Sequence, residues 1–220
     1  VALDPQLAYV TQKAQLLFVC KRYDDSFTTF QDAIAKGAHN AECFYGAARC
    51  KEQLNDTTAY IALLDSAVAT FSQPYLKEAA PYIYARGQAL AENGQYRLAV
   101  NDFNEYENLM ISQINSEFYY IRSQVEVKGR LFQQALNDLD KAIDKDPSIL
   151  LYRSEKASLQ IRVKLTDEAI ETASECIRLF PDSSDGYLFL GLAQCLKGDK
   201  ALGVVNLLKA KDRGDAQADT

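Results

Sequence analysis

The sequence predicts an all-α protein made of consecutive helix pairs. Three observations lead to this prediction: a 34-residue spacing between similar segments, a small residue at one fixed position of each segment, and turn residues near the middle of each segment. The pattern of Arg130–Pro147 returns in the segments that begin at Gln95 and Thr166. Self-similarity at a period of about 20–50 residues indicates a repeat architecture, in which one helical unit is used many times.

The repeats can be placed in register along residues 1–220, which we treat as a single array. Units start near Leu7, Ala41, Ala80, Ser116, Leu150 and Ser184. Two insertions interrupt the period, Tyr75–Ala79 before the third unit and Ile114–Asn115 before the fourth.

Position eight of every unit holds a small residue, as two closely crossing helices require. These residues are Ala14, Ala48, Gly87, Ser123, Ala157 and Gly191. Positions 20 and 27 are also small in most units, so we expect Ala135 and Ala142 to be buried. Tyr60 and Tyr106 depart from this rule beside the insertions and indicate local repacking.

Each unit is predicted to contain a helix A, a short turn and a helix B. The turns are predicted at Lys21-Arg22, Asn55-Asp56, Asn93-Gly94, Lys128-Gly129, Lys164-Leu165 and Lys197-Gly198. Pro147 and Pro181 separate a helix B from the next helix A, where a missing N–H costs little. Leu3-Asp4-Pro5 is expected to close an earlier unit and residues 214–219 to start another, which suggests a fragment of a longer chain or ends covered by a partner.

The residues at positions 8, 20, 24 and 27 resemble the tetratricopeptide repeat family from Leu7 to about Gln217. The segment from Leu190 is similar to the last unit of many bacterial members. The resemblance implies a right-handed α-α superhelix, a solenoid of about six helix pairs. The sequence departs from the family pattern at Lys51 and Tyr60 in the second unit.

The composition limits the kinds of partner that the protein is expected to bind. The 220 residues are 48% hydrophobic and 25% charged, as in folded domains, and the net charge of −6 argues against a nucleic-acid surface. The longest apolar run, Leu16–Cys20, is too short to span a membrane. The chain starts at Val1, so its compartment stays open, and we expect a soluble protein of the cytoplasm or periplasm.

No arrangement of residues predicts catalysis. The single histidine, His39, lies in a connection between helices, and the five cysteines show no metal-binding spacing and are expected to be reduced and buried. Carboxylates such as Asp138 and Asp140 are expected to lie on a solvated helix face. We therefore expect no enzyme activity, no cofactor and no bound metal ion.

The resemblance implies that the A helices line a concave groove. The candidate partner-binding residues are Tyr45, Arg49, Tyr84, Gln88, Tyr120, Gln124 and Lys128. Tyrosine offers an apolar ring with a polar tip, and glutamine can hydrogen-bond to a peptide backbone. Alternatively, the tyrosines pack A helix on A helix, and a two-residue shift of the second unit would put Cys43 in the place of Tyr45. No window supplies the Lys/Asn/Arg clamp with which family co-chaperones bind C-terminal carboxylates.

The sequence thus predicts a non-catalytic scaffold or adaptor that holds a protein or peptide segment in its groove. One alternative is a repeat region of a longer protein whose enzymatic or sensor domain lies outside residues 1–220. Another is self-association through the last unit, where Leu188, Leu192, Cys195 and Leu196 are expected to be exposed.

Overall fold

The computed structural model describes residues 5–72 and 75–214, and all regular structure in these ranges is helical. Twelve α-helices lie within the described residues: α1 Pro5–Val19, α2 Tyr23–Ala35, α3 Ala41–Gln53, α4 Thr57–Val68, α5 Ala80–Glu92, α6 Tyr96–Met110, α7 Ser116–Lys128, α8 Phe132–Lys145, α9 Leu150–Arg162, α10 Thr166–Leu179, α11 Ser184–Lys197 and α12 Lys200–Asp212. Short 3-10 turns span Tyr75–Ala79 and Ile111–Gln113. The all-α prediction is confirmed.

The helices are arranged in pairs, because each odd-numbered helix packs on the even-numbered helix that follows it. The chain divides into two compact units, Val1–Gln113 and Ile114–Thr220, so that α1–α6 belong to the first and α7–α12 to the second. The first unit and the second unit therefore each contain three of the 34-residue repeats. Pro5 is the first residue of α1, and the expectation that Leu3-Asp4-Pro5 closes an earlier repeat stays a prediction. Proline suits this position because the first N–H groups of a helix have no partner within it. Leu3 and Asp4, and residues 215–219, lie outside the described residues.

Small residues lie where the paired helices cross. All six residues at position eight are buried, and Ala135 and Ala142 have no exposed surface, as predicted. A Cβ atom added at Gly191 would lie 2.8 Å from the carbonyl oxygen of Gly203. The paired helices therefore approach to backbone contact in α11 and α12, and a larger residue would force them apart.

The turn inside each helix pair repeats one backbone conformation. Its central residue has a positive φ between 57° and 106° in all six pairs: Lys21, Asn55, Gly94, Arg130, Lys164 and Gly198. The next N–H reaches back over the turn, as where Asp56 donates to the carbonyl oxygen of Lys51 at 2.9 Å. This pattern satisfies carbonyls at the end of helix A. The turn predicted at Lys128-Gly129 is misplaced, because Lys128 is the last residue of α7 and the turn centres on Arg130.

Polar side chains fix where several A helices begin. The side-chain oxygens of Asn40 and Asn115 accept hydrogen bonds from the N–H groups of Cys43 and Phe118, at 2.9 and 3.0 Å. Each bond satisfies an N–H group that has no partner within its helix. Asn115 is the second residue of the two-residue insertion, which therefore supplies the cap that starts α7.

A buried ion pair joins α7 to α8 in the second unit. The guanidinium of Arg122 donates to both carboxylate oxygens of Asp138, from Nε at 2.5 Å and from a terminal nitrogen at 2.9 Å. Both residues are buried, so the prediction that Asp138 lies on a solvated face is wrong. Arg86 and Asp102 form the same two-bonded pair between α5 and α6, at 2.7 Å for each bond. The pair occupies the same repeat positions in both cases.

The cysteines are free thiols in different environments. Cys43, Cys50 and Cys176 are buried, as predicted, and Cys195 is half-buried. Cys20 is exposed, so its predicted burial is wrong, because it lies in the turn beyond the end of α1. Burial raises the pKa of the Cys176 thiol to about 11, which keeps this side chain protonated at neutral pH.

None of the described helices combines the length and the apolar character that crossing a lipid bilayer would require.

Candidate functional site

A depression of about 410 Å³ lies in the first unit, bounded by α1, α3 and α5. The predicted groove residues Tyr45 and Arg49 both line it, and both project from α3. Four residues separate them, so they share one face of the helix. The depression therefore brings together an aromatic ring and a guanidinium group.

Aromatic rings form one wall of this depression. The ring of Tyr45 packs edge-on against Tyr82, with the centroids 5.2 Å apart, and Tyr82 stacks on Phe71 at 5.6 Å. Burial raises the pKa of the Tyr82 hydroxyl, and the nearby charge of Glu42 raises it further. Tyr82 consequently remains a neutral group that can donate or accept a hydrogen bond.

The opposite wall comes from the end of α1. The Arg49 guanidinium lies over the ring of Phe18, with its central carbon 4.7 Å from the centroid, in a cation–π contact. Val19, which also lines the depression, is 75% exposed. Gln15, one turn earlier on α1, also lines the depression, so this wall combines apolar side chains with one polar group and is open to solvent.

The other candidate residues of the first unit do not line this depression. Tyr84 is half-buried, and its ring packs against α6, 5.5 Å from the centroid of Phe103 and 4.9 Å from that of Tyr106. Gln88 is exposed one turn further along α5.

In the second unit, one of the three candidate residues, Tyr120, joins one A helix to the next. Tyr120 is half-buried, and its ring lies 5.3 Å from that of Tyr152 on α9. Burial raises the pKa of the Tyr120 hydroxyl, and the charge of Glu155 adds to this effect. Gln124 is half-buried, and Lys128 is exposed at the end of α7.

The contacts of Tyr45 and Tyr120 fit the alternative in which tyrosines pack A helix on A helix. Tyr45 nevertheless keeps part of its surface in the depression, and its partner Tyr82 does so as well. A ring can thus connect two helices and present a surface to a ligand. The groove assignment of the seven residues stays a prediction.

Several residues that line the depression were missed. The family resemblance implies that positions 2, 5, 9, 12 and 13 of each repeat face the groove, and Glu42, Phe18 and Val19 occupy positions 2, 12 and 13 of their repeats. The position rule could therefore have found them, whereas the predicted candidates lie mainly at positions 5 and 9. Tyr82 lies outside those positions, and no signal in the sequence marks it.

A second depression of about 470 Å³ adjoins the first, since Glu42 and Tyr82 line both. It extends to His39 in the connection between α2 and α3 and to Phe71 after α4. His39 lies in this connection as predicted.

The described residues contain no cluster of three or more His, Cys, Asp or Glu side chains that could hold a metal ion.

No family model matches the chain. U-box domain-containing protein 70 from Oryza sativa subsp. japonica is 24% identical over 212 residues, which are 94% of this chain and 25% of that protein. The chain thus spans about a quarter of the length of this curated relative.

Solved structures resemble the chain over most of its length. YrrB matches with a TM-score of 0.63 and 20% identity, covering 86% of this chain and 94% of YrrB. MamA matches with a TM-score of 0.63 and 18% identity, covering 81% and 94%. The C-terminal part of a TPR repeat-containing protein from Cytophaga hutchinsonii matches with a TM-score of 0.67 and 16% identity, covering 92% and 78%. The chain therefore has the tetratricopeptide-repeat fold.

Proposed function

We propose that this tetratricopeptide-repeat chain is a non-catalytic adaptor that holds a peptide segment of a protein partner. Repeat proteins of this kind present extended concave surfaces to their ligands. The observation that carries the proposal is the depression of the first unit, which is lined by the aromatic rings of Tyr45, Tyr82 and Phe18 and by Arg49, whose guanidinium lies over the Phe18 ring. Aromatic residues and arginine are the residues most enriched among those that dominate binding energies.

The similarity to YrrB adds support, because that protein is described as a TPR protein with an unusual peptide-binding site. The depression is open to solvent along α1, as an extended segment that enters from the side requires. Its lining offers apolar surface together with a few polar groups, which is the usual composition of a ligand site. The candidate residues Tyr84, Gln88, Tyr120, Gln124 and Lys128 remain part of the proposal as flanking contacts.

Arg49 is the residue whose truncation tests this proposal. A random peptide library is selected against the immobilised chain, and the affinity of the enriched peptides is measured by fluorescence anisotropy. We expect Arg49→Ala to weaken their binding about tenfold, because the side chain lines the site and can pair with a ligand. Arg97→Ala is the matched control, since Arg97 is an exposed arginine on α6 that does not line the depression.

The proposal fails if no peptide is enriched, or if Arg97→Ala weakens binding as much as Arg49→Ala. Helical circular dichroism of both variants shows that the fold is retained, which exposed substitutions should leave unchanged.

Self-association is a second candidate function. Four large apolar side chains of α12 are at least 48% exposed: Leu202, Val204, Val205 and Leu208. Leu192 and Leu196 on α11 are exposed as predicted and Cys195 is half-buried, but Leu188 is buried, because α11 packs on α9 and α10. Contiguous exposed apolar surface is typical of interaction sites.

Sedimentation velocity at low and high protein concentration tests this second candidate. We expect a larger species at high concentration if α12 pairs with a second copy, and a monomer under the same conditions for Leu202→Glu/Leu208→Glu. A monomer of the unsubstituted chain at both concentrations would contradict it.

A third possibility is that the array is the repeat region of a longer protein with an enzymatic or sensor domain outside residues 1–220. It is supported by the greater length of the curated relative.

A further inference from the structure

Two opposite charges on α3 line the depression of the first unit without an ionic partner. Glu42 and Arg49 both line it, and within the described part of the chain neither forms an ion pair. Arg49 contacts the ring face of Phe18, and Glu42 is exposed in the first turn of α3. Both charges are therefore available to a bound molecule.

The spacing of these charges defines the ligand. Seven residues are two helical turns, so the two side chains share one face and their backbone positions are about 10.5 Å apart. An extended peptide advances about 3.3 Å per residue and directs alternate side chains to opposite faces. Three alternate residues of such a peptide therefore face the depression together, and the outer two lie about 13 Å apart, a distance that long charged side chains can adjust to the spacing on α3.

The surface between the two charges is apolar. Gly46 lies there and has no side chain, because a Cβ atom at this position would overlap the ring of Phe30. Tyr45 borders the same part of the depression. The ring of Phe30 fills the space beside Gly46, and Phe30 and Tyr45 together give a surface against which an apolar side chain can lie between two charged ones.

We propose that the depression selects an extended peptide segment that carries an acidic and a basic residue four positions apart, with an apolar residue midway between them. The acidic side chain pairs with Arg49, the basic one pairs with Glu42, and the apolar one lies against Phe30 and Tyr45. This inference rests on the proposed function and adds the chemistry of the partner segment. Complementary charges at a binding surface determine which partners are accepted, because like charges brought together are repelled.

The test compares selections from one random peptide library against the chain and two charge-reversal variants. The unsubstituted chain should enrich peptides with one acidic and one basic residue at the stated spacing. Arg49→Glu should instead enrich peptides with two basic residues, and Glu42→Lys should enrich peptides with two acidic residues. Each variant should bind the mixed-charge peptides about tenfold more weakly than the unsubstituted chain does.

Gln31→Glu provides the matched control, because it adds a charge on an exposed position of α2 that does not line the depression. Its enriched peptides should be the same as those of the unsubstituted chain. Raising the salt concentration should reduce the preference of the unsubstituted chain for mixed-charge peptides, since partly exposed charges are screened.

The results separate this inference from the proposed function. One outcome is that peptides are enriched and Arg49→Ala weakens their binding, but neither charge reversal changes which charges are preferred. The charge-selection inference is then overturned and the peptide site stands. If no peptide is enriched by any form of the chain, both fail. A change of preference in Gln31→Glu equal to that in Arg49→Glu would also overturn the inference, because the effect would then come from net charge.

Discussion

Replacing Asp138 by alanine is expected to lower the free energy of unfolding by about 3–5 kcal/mol, as is typical when one partner of a buried ion pair is removed. Arg122 is only 3% exposed, so its guanidinium would keep its charge in a place where water cannot replace the lost carboxylate. Urea denaturation followed by circular dichroism measures the loss, and hydrogen exchange shows whether α7 and α8 are the helices that open.

Asp140→Ala is the matched control for this prediction. Asp140 lies two residues away on the same helix, is exposed, and pairs with Lys156 on α9. Exposed pairs contribute about 0–1 kcal/mol, so this variant should retain nearly all of the stability. The prediction is contradicted if the two variants lose similar amounts.

A double variant distinguishes the cost of a buried guanidinium that has lost this carboxylate from the loss of a favourable pair. Arg122→Met/Asp138→Leu removes both charges and keeps apolar volume in the site. Such replacements are often neutral or stabilising, so we expect the double variant to be more stable than Asp138→Ala.

Truncating Phe103 to alanine is the second change with a large expected effect, a loss of about 3–5 kcal/mol in the free energy of unfolding. Phe103 is 1% exposed and fills the space between α5 and α6, where a Cβ atom at Gly87 would lie 3.0 Å from its ring. The truncation removes this ring from the core and leaves a cavity that the helices can close only in part. Urea denaturation measures the change, with hydrogen exchange in α5 and α6 as the local readout.

Leu98→Ala serves as the control, because Leu98 lies on the same helix but is 51% exposed. Surface substitutions usually change stability by no more than about 0.5 kcal/mol. Equal losses for the two variants would show that Phe103 does not occupy the centre of this helix pair.

Helical periodicity predicted the fold because close helix crossings impose a strict rule on residue size. The rule holds even at Gly191, where the helix backbones touch. It does not describe polar residues, and Asp138 was misplaced because a carboxylate at helical spacing is usually solvated. The recurrence of an arginine sixteen residues before an aspartate, as in Arg86/Asp102 and Arg122/Asp138, is the signal that could have revealed the buried pair.

The candidate site was only partly predictable, because repeat positions define where a side chain starts and not what it contacts. Tyr45 and Arg49 share a depression, whereas Tyr84 packs against Tyr106. Tyr106 departs from the small-residue rule, so its ring occupies space that an alanine would leave open. Effects of this kind depend on pairs of side chains from different helices, and a single sequence does not mark them.

The left-handed turn inside each helix pair has a consequence for how such chains diverge. In four of the six turns, the residue with positive φ is not glycine, although glycine adopts this backbone conformation with the least strain. The turn does not depend on glycine, because hydrogen bonds between main-chain atoms maintain its geometry. Substitutions at these turn positions can therefore accumulate while the backbone keeps its path. The common ancestry of such proteins is then recognisable from their backbone structures after their sequences have diverged.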